Sequence, residues 1–385
     1  MVEGMNTHNP SRLILCILLF LFIGQLPFFS TPASETIRAD TIAPEQNPDL
    51  LIIISPQYAQ DNDLQTMIHS YMTAVDIDLG WTSRIILIDP NTNNYQTIDH
   101  IIETYHQNHP LKACIMVGED LNTPLGGDCD NLEQPSTLPW TTLGETTAYT
   151  PTTQGILCTP SKLQLCISLL YPPSHLTYEQ KKTQLLFAFR KFSTQRHHTT
   201  QNTTRIFESS ALNTYSKPLY QHLETQNQIL YTEDPTDTDI IQSLQEPYTA
   251  YFIHGHSNPA GTDLNRQNNS GWFTADHLDT LNTPLFSADG CYTAGWWSDQ
   301  DDNNQLDPSI KKTYYGSKIF TSTTLQVLAL GLLSQNGCST QVSFIENVIP
   351  ELYQGKTLAE AMNGDWTIGD YIIIGDPTFH YTIEN

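Results

Sequence analysis

Positive charge is what this chain has least of. Only 17 Lys and Arg stand against 41 Asp and Glu in 385 residues, a formal charge of −24. A field of that sign repels phosphate backbones and anionic bilayers, which excludes nucleic acid and membrane surfaces as partners of the body. It favours solubility and only weakly attracts cationic substrates. Long apolar runs are equally scarce. Leu13 to Ile23 forms one, shorter than the roughly 20 residues a bilayer span needs, and no later segment approaches that length. Cysteine is sparse at seven, and no stretch repeats at a fixed period, which excludes solenoids and propellers.

What is present starts with a targeting pattern. Arg12 precedes the apolar run, Gly24, Gln25 and Pro27 weaken it, and Thr31-Pro32-Ala33-Ser34 supplies small residues. This is the order of a secretory signal. We expect residues 1–34 to be a signal peptide, with an uncleaved anchor as the alternative reading of the same run, and the polar stretch 35–49 to be a linker. The body is then secreted, periplasmic or held at the cell surface, with no membrane contact once the signal is removed. Six cysteines remain: Cys114, Cys129, Cys158, Cys166, Cys291 and Cys338. An exported chain can form disulfides, and Cys129 with Cys158, bracketing a Pro/Gly/Thr-rich loop, is the best-placed pair. Connectivity itself is not readable from sequence.

Apolar content of 39%, with 18 Tyr and 14 Phe, supports a substantial core. Short β-branched runs alternate with helical spacing. Leu50–Ser55, Arg84–Ile88 and Ala113–Gly118 read as buried strands. Leu64, Met67, Ile68, Tyr71, Met72 and Val75 mark one helix, and Ile98, Ile101, Ile102 and Tyr105 another. Such alternation implies right-handed crossovers and a mostly parallel sheet flanked by helices. Residues 119–160 break the pattern as a long loop, with a hairpin possible and Trp140 an isolated aromatic. A strand over 163–170 and a helix over 177–196 follow. The polar stretch Arg196–Asn202 divides two fused α/β lobes, 50–198 and 203–383. In the second lobe we expect strands at 204–207, 248–253, 284–289, 316–321 and 371–375. Helices are expected around Leu219 and Leu223, over Val327–Leu332, and from Phe344 to Tyr353.

Two of those strands carry chemistry. Tyr248–Ile253 delivers His254-Gly255-His256-Ser257, and Thr283–Gly290 delivers Cys291. Adjacent parallel strands would place His and Cys side by side at the carboxyl edge of the sheet, where open α/β sheets keep their sites. A thiol beside an imidazole is the minimal apparatus of covalent acyl transfer. A nucleophilic Cys291 must stay free of disulfides.

The order strand, His-Gly, loop, strand, Gly-Cys and Gly-aromatic turn resembles the caspase/gingipain clan of cysteine peptidases, and most of all its gingipain-type family. Further matches are Leu51–Tyr58 as the opening strand, Ile115-Met116-Val117-Gly118-Glu119-Asp120, Gly355-Lys356-Thr357-Leu358-Ala359-Glu360-Ala361, and Ile374-Gly375-Asp376-Pro377-Thr378. They run in order over about residues 50–383. The resemblance implies a caspase-like α/β fold and an endopeptidase acting on protein or peptide substrates through a thioester, with no cofactor for the chemistry. It implies Cys291 as nucleophile, His254 as its acid–base partner and Glu208 as the acid supporting the histidine. The backbone N–H groups of Gly255 and Cys291 would form the oxyanion hole. His256 is the alternative histidine, because the family often reads Gly-His-Gly-Ser here. Residues 209–223 lack the acidic residue that arginine- or lysine-directed members carry, so a basic primary specificity does not follow. Trp296 and Trp297 are placed to line a pocket or to pack over the sheet edge.

Past the nucleophile, Asp299, Asp301, Asn303 and Asp307 alternate as oxygen ligands of a calcium loop do, without the Gly and terminal Glu of an EF-hand. A solvated acidic loop is the plainer reading of the same residues. Two other functions stay open. One is a non-catalytic gingipain-like binding protein. The other is a zinc hydrolase with His254, His256, Asp289 and Cys291 as ligands. Oligomeric state and substrate identity are not encoded in any motif.

Overall fold

A computed structural model describes residues 48–121, 125–126, 134–135, 137, 140, 149–152, 155–158, 165–199, 203–212, 216–225, 229–258, 260–290, 293, 314–331, 344–363 and 371–382. The expected signal, nearly all of the linker, Cys129, Cys291, Trp296, Trp297, the 299–307 acidic loop and Cys338 lie outside the described residues. Among the described residues no helix is long and apolar enough to cross a membrane.

The first half runs β1 (Leu50–Ile54), α1 (Asn62–Leu79), β2 (Ser83–Leu87), α2 (Tyr95–Asn108), β3 (Ala113–Val117), β4 (Cys166–Leu170) and α3 (Tyr178–Thr194). The second runs β5 (Thr204–Glu208), α4 (Lys217–Thr225), β6 (Ile229–Glu233), α5 (Asp237–Ser243), β7 (Ala250–His254), β8 (His256–Asn258), β9 (Gly261–Asn265), β10 (Ser270–Thr274), β11 (Leu285–Asp289), β12 (Val327–Gly331), α6 (Ile349–Tyr353), α7 (Leu358–Met362) and β13 (Tyr371–Gly375). Local chemistry sets the boundaries. Asp61 caps α1 by accepting from Leu64 N, and Gly80 ends it at φ 66°. Thr177 and Gln180 form a capping box at the start of α3.

One ten-stranded sheet carries both halves, in the order β6-β5-β7-β11-β12-β13-β4-β3-β1-β2. All neighbours are parallel except β12 and β13. The sheet is therefore two parallel blocks set head to tail, and their carboxyl ends lie on opposite edges. The last strand of this sheet, β13, returns to the block built by the first half. Every residue of β1, β3, β7 and β11 is buried. Each large apolar side chain there contributes roughly 1.5–3 kcal/mol on burial.

The described fold is α/β with a large, mostly parallel sheet flanked by helices, as expected, but several elements differ. Val327–Gly331 is strand β12 rather than a helix: the run is buried on both faces, so hydropathy carries no period, and pairing with β11 decides. Residues 315–320 form a 3₁₀ helix rather than a strand. Lys318 fixes it, accepting from Ser322 N at 2.8 Å and reaching Asp276 and Asp279 with its ammonium. Phe344–Val348 is a π turn that leads into α6. Within 119–160, Tyr149–Thr152 and Gly155–Cys158 form a hairpin in a small four-stranded sheet. Trp140 is not isolated: it is buried and donates from Nε1 to the Tyr95 carbonyl at 3.2 Å.

The family-like motifs have structural roles. Thr357 and Glu360 make the capping box of α7. Gly118 and Gly375 adopt φ of 103° and 123°, where a side chain is strained. Asp376 accepts from Tyr71 at 2.6 Å and pairs with Arg196 at 2.8 Å; Arg196 also pairs with Asp78 at 2.8 Å. The stretch read from sequence as an interlobe boundary thus begins with a buried arginine tied to α1 and to the end of β13.

Candidate active site

The site lies where β5, β7 and β11 reach the carboxyl edge of the second parallel block. The register sets Glu208 opposite His254 and His254 opposite Asp289, so three titratable side chains close three neighbouring strands. All three are buried, with Glu208 at 0% and His254 at 2% exposure. Strand order places this triplet at a switch point: β6 follows β5 outward, and β7 returns to its other side. Open parallel sheets form a crevice at such points.

Glu208 and His254 form a couple. His254 Nδ1 lies 2.9 Å from Glu208 Oε1. Ser216 Oγ donates to the same oxygen, and Tyr231 Oη donates to Oε2 at 2.9 Å. Among the described contacts, each carboxylate oxygen thus accepts from one hydroxyl. Assigned from that network, the His254 proton sits on Nδ1, facing Glu208.

Nearby phenols feel this field. Burial pushes Tyr220 well above its ordinary range, helped by the negative charges of Glu208 and Asp289. Burial does the same to Tyr371, with Asp289 adding to it.

The turn after His254 is tightly packed. A Cβ on Gly255 would sit 2.5 Å from the Asp263 carbonyl and 2.9 Å from Thr262 Cγ2, so glycine is demanded by β9 crossing it. A Cβ on Gly290 would collide with the Gly255 carbonyl and Ser257 Oγ. Ser257 Oγ donates to the Gly255 carbonyl at 3.0 Å and contacts Thr262 Oγ1 at 2.9 Å; Thr262 in turn contacts Tyr315 Oη at 3.1 Å. Thr293 Oγ1 donates to the carbonyls of Ala288 and Gly331 at 3.0 and 2.9 Å. The described residues on both sides of 291–292 are therefore anchored to the sheet.

The expected residues fall into three groups. His254 and Glu208 are brought together, and Cys291 lies outside the described residues, two positions past the strand partner of His254. His256 is separated from them. Strand β7 ends at His254, and His256 opens β8 of a distinct three-stranded sheet, opposite Asp263. His254 and His256, both ligands in the zinc reading, lie on different strands, because Gly255 separates the end of β7 from the start of β8. Among the described residues no three His, Cys, Asp or Glu side chains converge as a metal site. The Gly255 N–H, expected in the oxyanion hole, donates to the Asp289 carbonyl at 3.3 Å, a long last rung of the sheet. Ser216 and Tyr231 were not legible as site residues, since neither belongs to a motif. The only signal was the period-two spacing of Tyr231 and Glu233 on one strand face.

No family model matches the sequence, and no curated protein matches it. Solved structures do. The Arg-specific cysteine proteinase gingipain R superposes with a TM-score of 0.58 at 13% identity, covering 87% of this chain and 78% of that one. The complex of Porphyromonas gingivalis RgpB pro- and mature domains gives a TM-score of 0.57 at 12% identity, covering 86% of this chain and 79% of the other. At such identity the likeness is one of fold, and the fold of this chain is caspase/gingipain-like.

Proposed function

We propose that the chain is an exported cysteine endopeptidase that cleaves protein or peptide substrates through a thioester. The observation that carries this reading is the buried Glu208–His254 couple at the carboxyl edge, with the Gly290-Cys291 sequence following the strand that pairs with His254. Glu208 holds the imidazole through Nδ1. His254 takes the Cys291 thiol proton, the thiolate attacks the scissile carbonyl, and the tetrahedral oxyanion forms. Collapse of that intermediate breaks the C–N bond as His254 returns the proton to the leaving amine. Water, deprotonated by His254, then attacks the thioester and releases acid and thiol. Backbone N–H groups at Gly255 and Cys291 would bind the oxyanion once the Gly255 rung opens. Asp299, Asp301, Asn303 and Asp307, a few positions past Cys291 in the sequence, would supply a hard-oxygen set that suits calcium in a structural role. A chelator that lowers the melting temperature, with calcium restoring it, supports that loop; no shift removes it.

The test is cleavage of an unbiased peptide mixture by the wild type and by Cys291→Ala. Wild-type cleavage that vanishes in the variant supports the proposal. Cleavage surviving in Cys291→Ala contradicts it. A second reading, a gingipain-like binding protein without turnover, is favoured by the Gly255 N–H being engaged in the sheet, and it predicts no cleavage by either protein.

A further inference from the structure

We propose that Ser216 and Tyr231 are positioning residues: together they hold the Glu208 carboxylate in the one orientation that fixes the His254 proton on Nδ1. The inference rests on the peptidase reading only for its catalytic consequence; the geometry stands without it.

Burial favours the neutral form of a carboxyl group. A neutral Glu208 would donate to His254 Nδ1, move the imidazole proton to Nε2, and so remove the base. Two hydroxyl donors oppose that outcome, because a protonated carboxyl cannot accept as many hydrogen bonds. Each donor arrives from a different element. Ser216 immediately precedes α4, and its carbonyl accepts from Tyr220 N at 3.0 Å, which holds the residue at the helix start. Tyr231 sits on β6, and its ring packs on Tyr220 with centroids 5.4 Å apart. The β5–β6 register puts Tyr231 opposite Ile206, diagonal to Glu208 on the same face. The carboxylate is therefore gripped by the helix start, the edge strand and the imidazole.

Other titratable groups face the couple. Tyr220 comes from α4, Asp289 from β11 and Tyr371 from β13. Glu233, in register with Glu208 on β6, is paired with Lys217 at 2.5 Å. Tyr220 also feels the Tyr231 phenol, so Ser216→Ala, which leaves that phenol in place, separates the two effects.

The test uses the full chain as wild type, Ser216→Ala, Tyr231→Phe, the double variant, and Ser216→Thr as the conservative control. ¹⁵N spectra of the His254 imidazole, assigned with His254→Gln, report tautomer and titration. The alkylation rate of Cys291 by iodoacetamide, followed against pH, reports the consequence. We expect the Nδ1–H tautomer in the wild type. Each single variant should lower alkylation at neutral pH about fivefold, in line with loss of one charge-assisted hydrogen bond. Each lost donor destabilises the carboxylate form of Glu208, so the Nδ1–H tautomer of His254 should lose population and its titration should move with it. Ser216→Thr should restore wild-type behaviour. A His254 tautomer and titration unchanged in both Tyr231→Phe and the double variant overturn the inference, whatever the rates do. Should wild-type Cys291 react no faster than a free thiol, the peptidase reading fails, while the spectra still decide the roles of Ser216 and Tyr231.

Discussion

The two halves of the molecule repeat one strand order and furnish its rim differently. In each, a first strand sends its successor outward and its next strand inward, giving β2-β1-β3-β4 and β6-β5-β7-β11. Hydrogen bonding at the two rims matches. Ser55 N donates to the Val117 carbonyl at 2.9 Å, as Ser209 N does to the His254 carbonyl at 2.9 Å. Gly118 N reaches the Leu170 carbonyl at 3.1 Å, as Gly255 N reaches Asp289 at 3.3 Å. Yet one triplet is Ile54, Val117 and Leu170, and its counterpart is Glu208, His254 and Asp289. The residues that follow are Tyr171-Pro172 in one half and Gly290-Cys291 in the other. Topology makes the crevice; the side chains at the strand ends decide whether it can hold chemistry.

This comparison can be broken at either rim. The largest effect is expected at His254: His254→Ala should slow Cys291 alkylation by about 100-fold, whereas Val117→Ala should leave it within about twofold. Equal losses would dissolve the distinction. Next, Ile54→Ala should cost about 2–5 kcal/mol in denaturant unfolding by opening a core cavity, with Cys291 reactivity kept in the folded fraction. Glu208→Gln should do the reverse, lowering reactivity by about tenfold, because the amide can donate to Nδ1 and favour the wrong tautomer.

A smaller effect concerns what joins the halves. Lys191 of α3 is buried and donates to the carbonyls of Ile319 and Ser322 at 2.8 and 3.0 Å, tying first half to second. Burial lowers its ammonium from 10.5 to about 7. The unfolded chain therefore binds the proton more tightly, and stability should rise with pH between about 7 and 10.5 as the buried charge is lost. Melting curves across that window should show the rise flattened in Lys191→Met; an unchanged slope would assign it to other groups. The smallest effect is expected at His256→Ala, which should leave Cys291 reactivity within about twofold, since β8 carries that ring into another sheet. A loss as large as that of His254→Ala would reverse the assignment.

Much of this was legible in the sequence because buried parallel strands are written as short β-branched runs. Leu50–Ile54, Ala113–Val117 and Ala250–His254 emerge as strands almost residue for residue. Val327–Gly331 did not, because a run apolar on every side looks the same in a helix and a strand. The pairing of His254 with Glu208 was only loosely indicated, since register is set by tertiary contacts rather than by any local pattern. The two hydroxyls on Glu208 were invisible for the same reason: Ser216 and Tyr231 reach it from elements whose placement depends on the whole sheet.

The central claim is that the Glu208–His254 couple activates Cys291. The direct measurement is the iodoacetamide alkylation rate of Cys291 against pH, in the wild type and in His254→Ala. The account predicts fast wild-type alkylation at neutral pH, with a plateau reaching well below the ordinary thiol range of about 8.5, and a return to free-thiol behaviour in His254→Ala. Superimposable profiles that rise only near that ordinary range would contradict it.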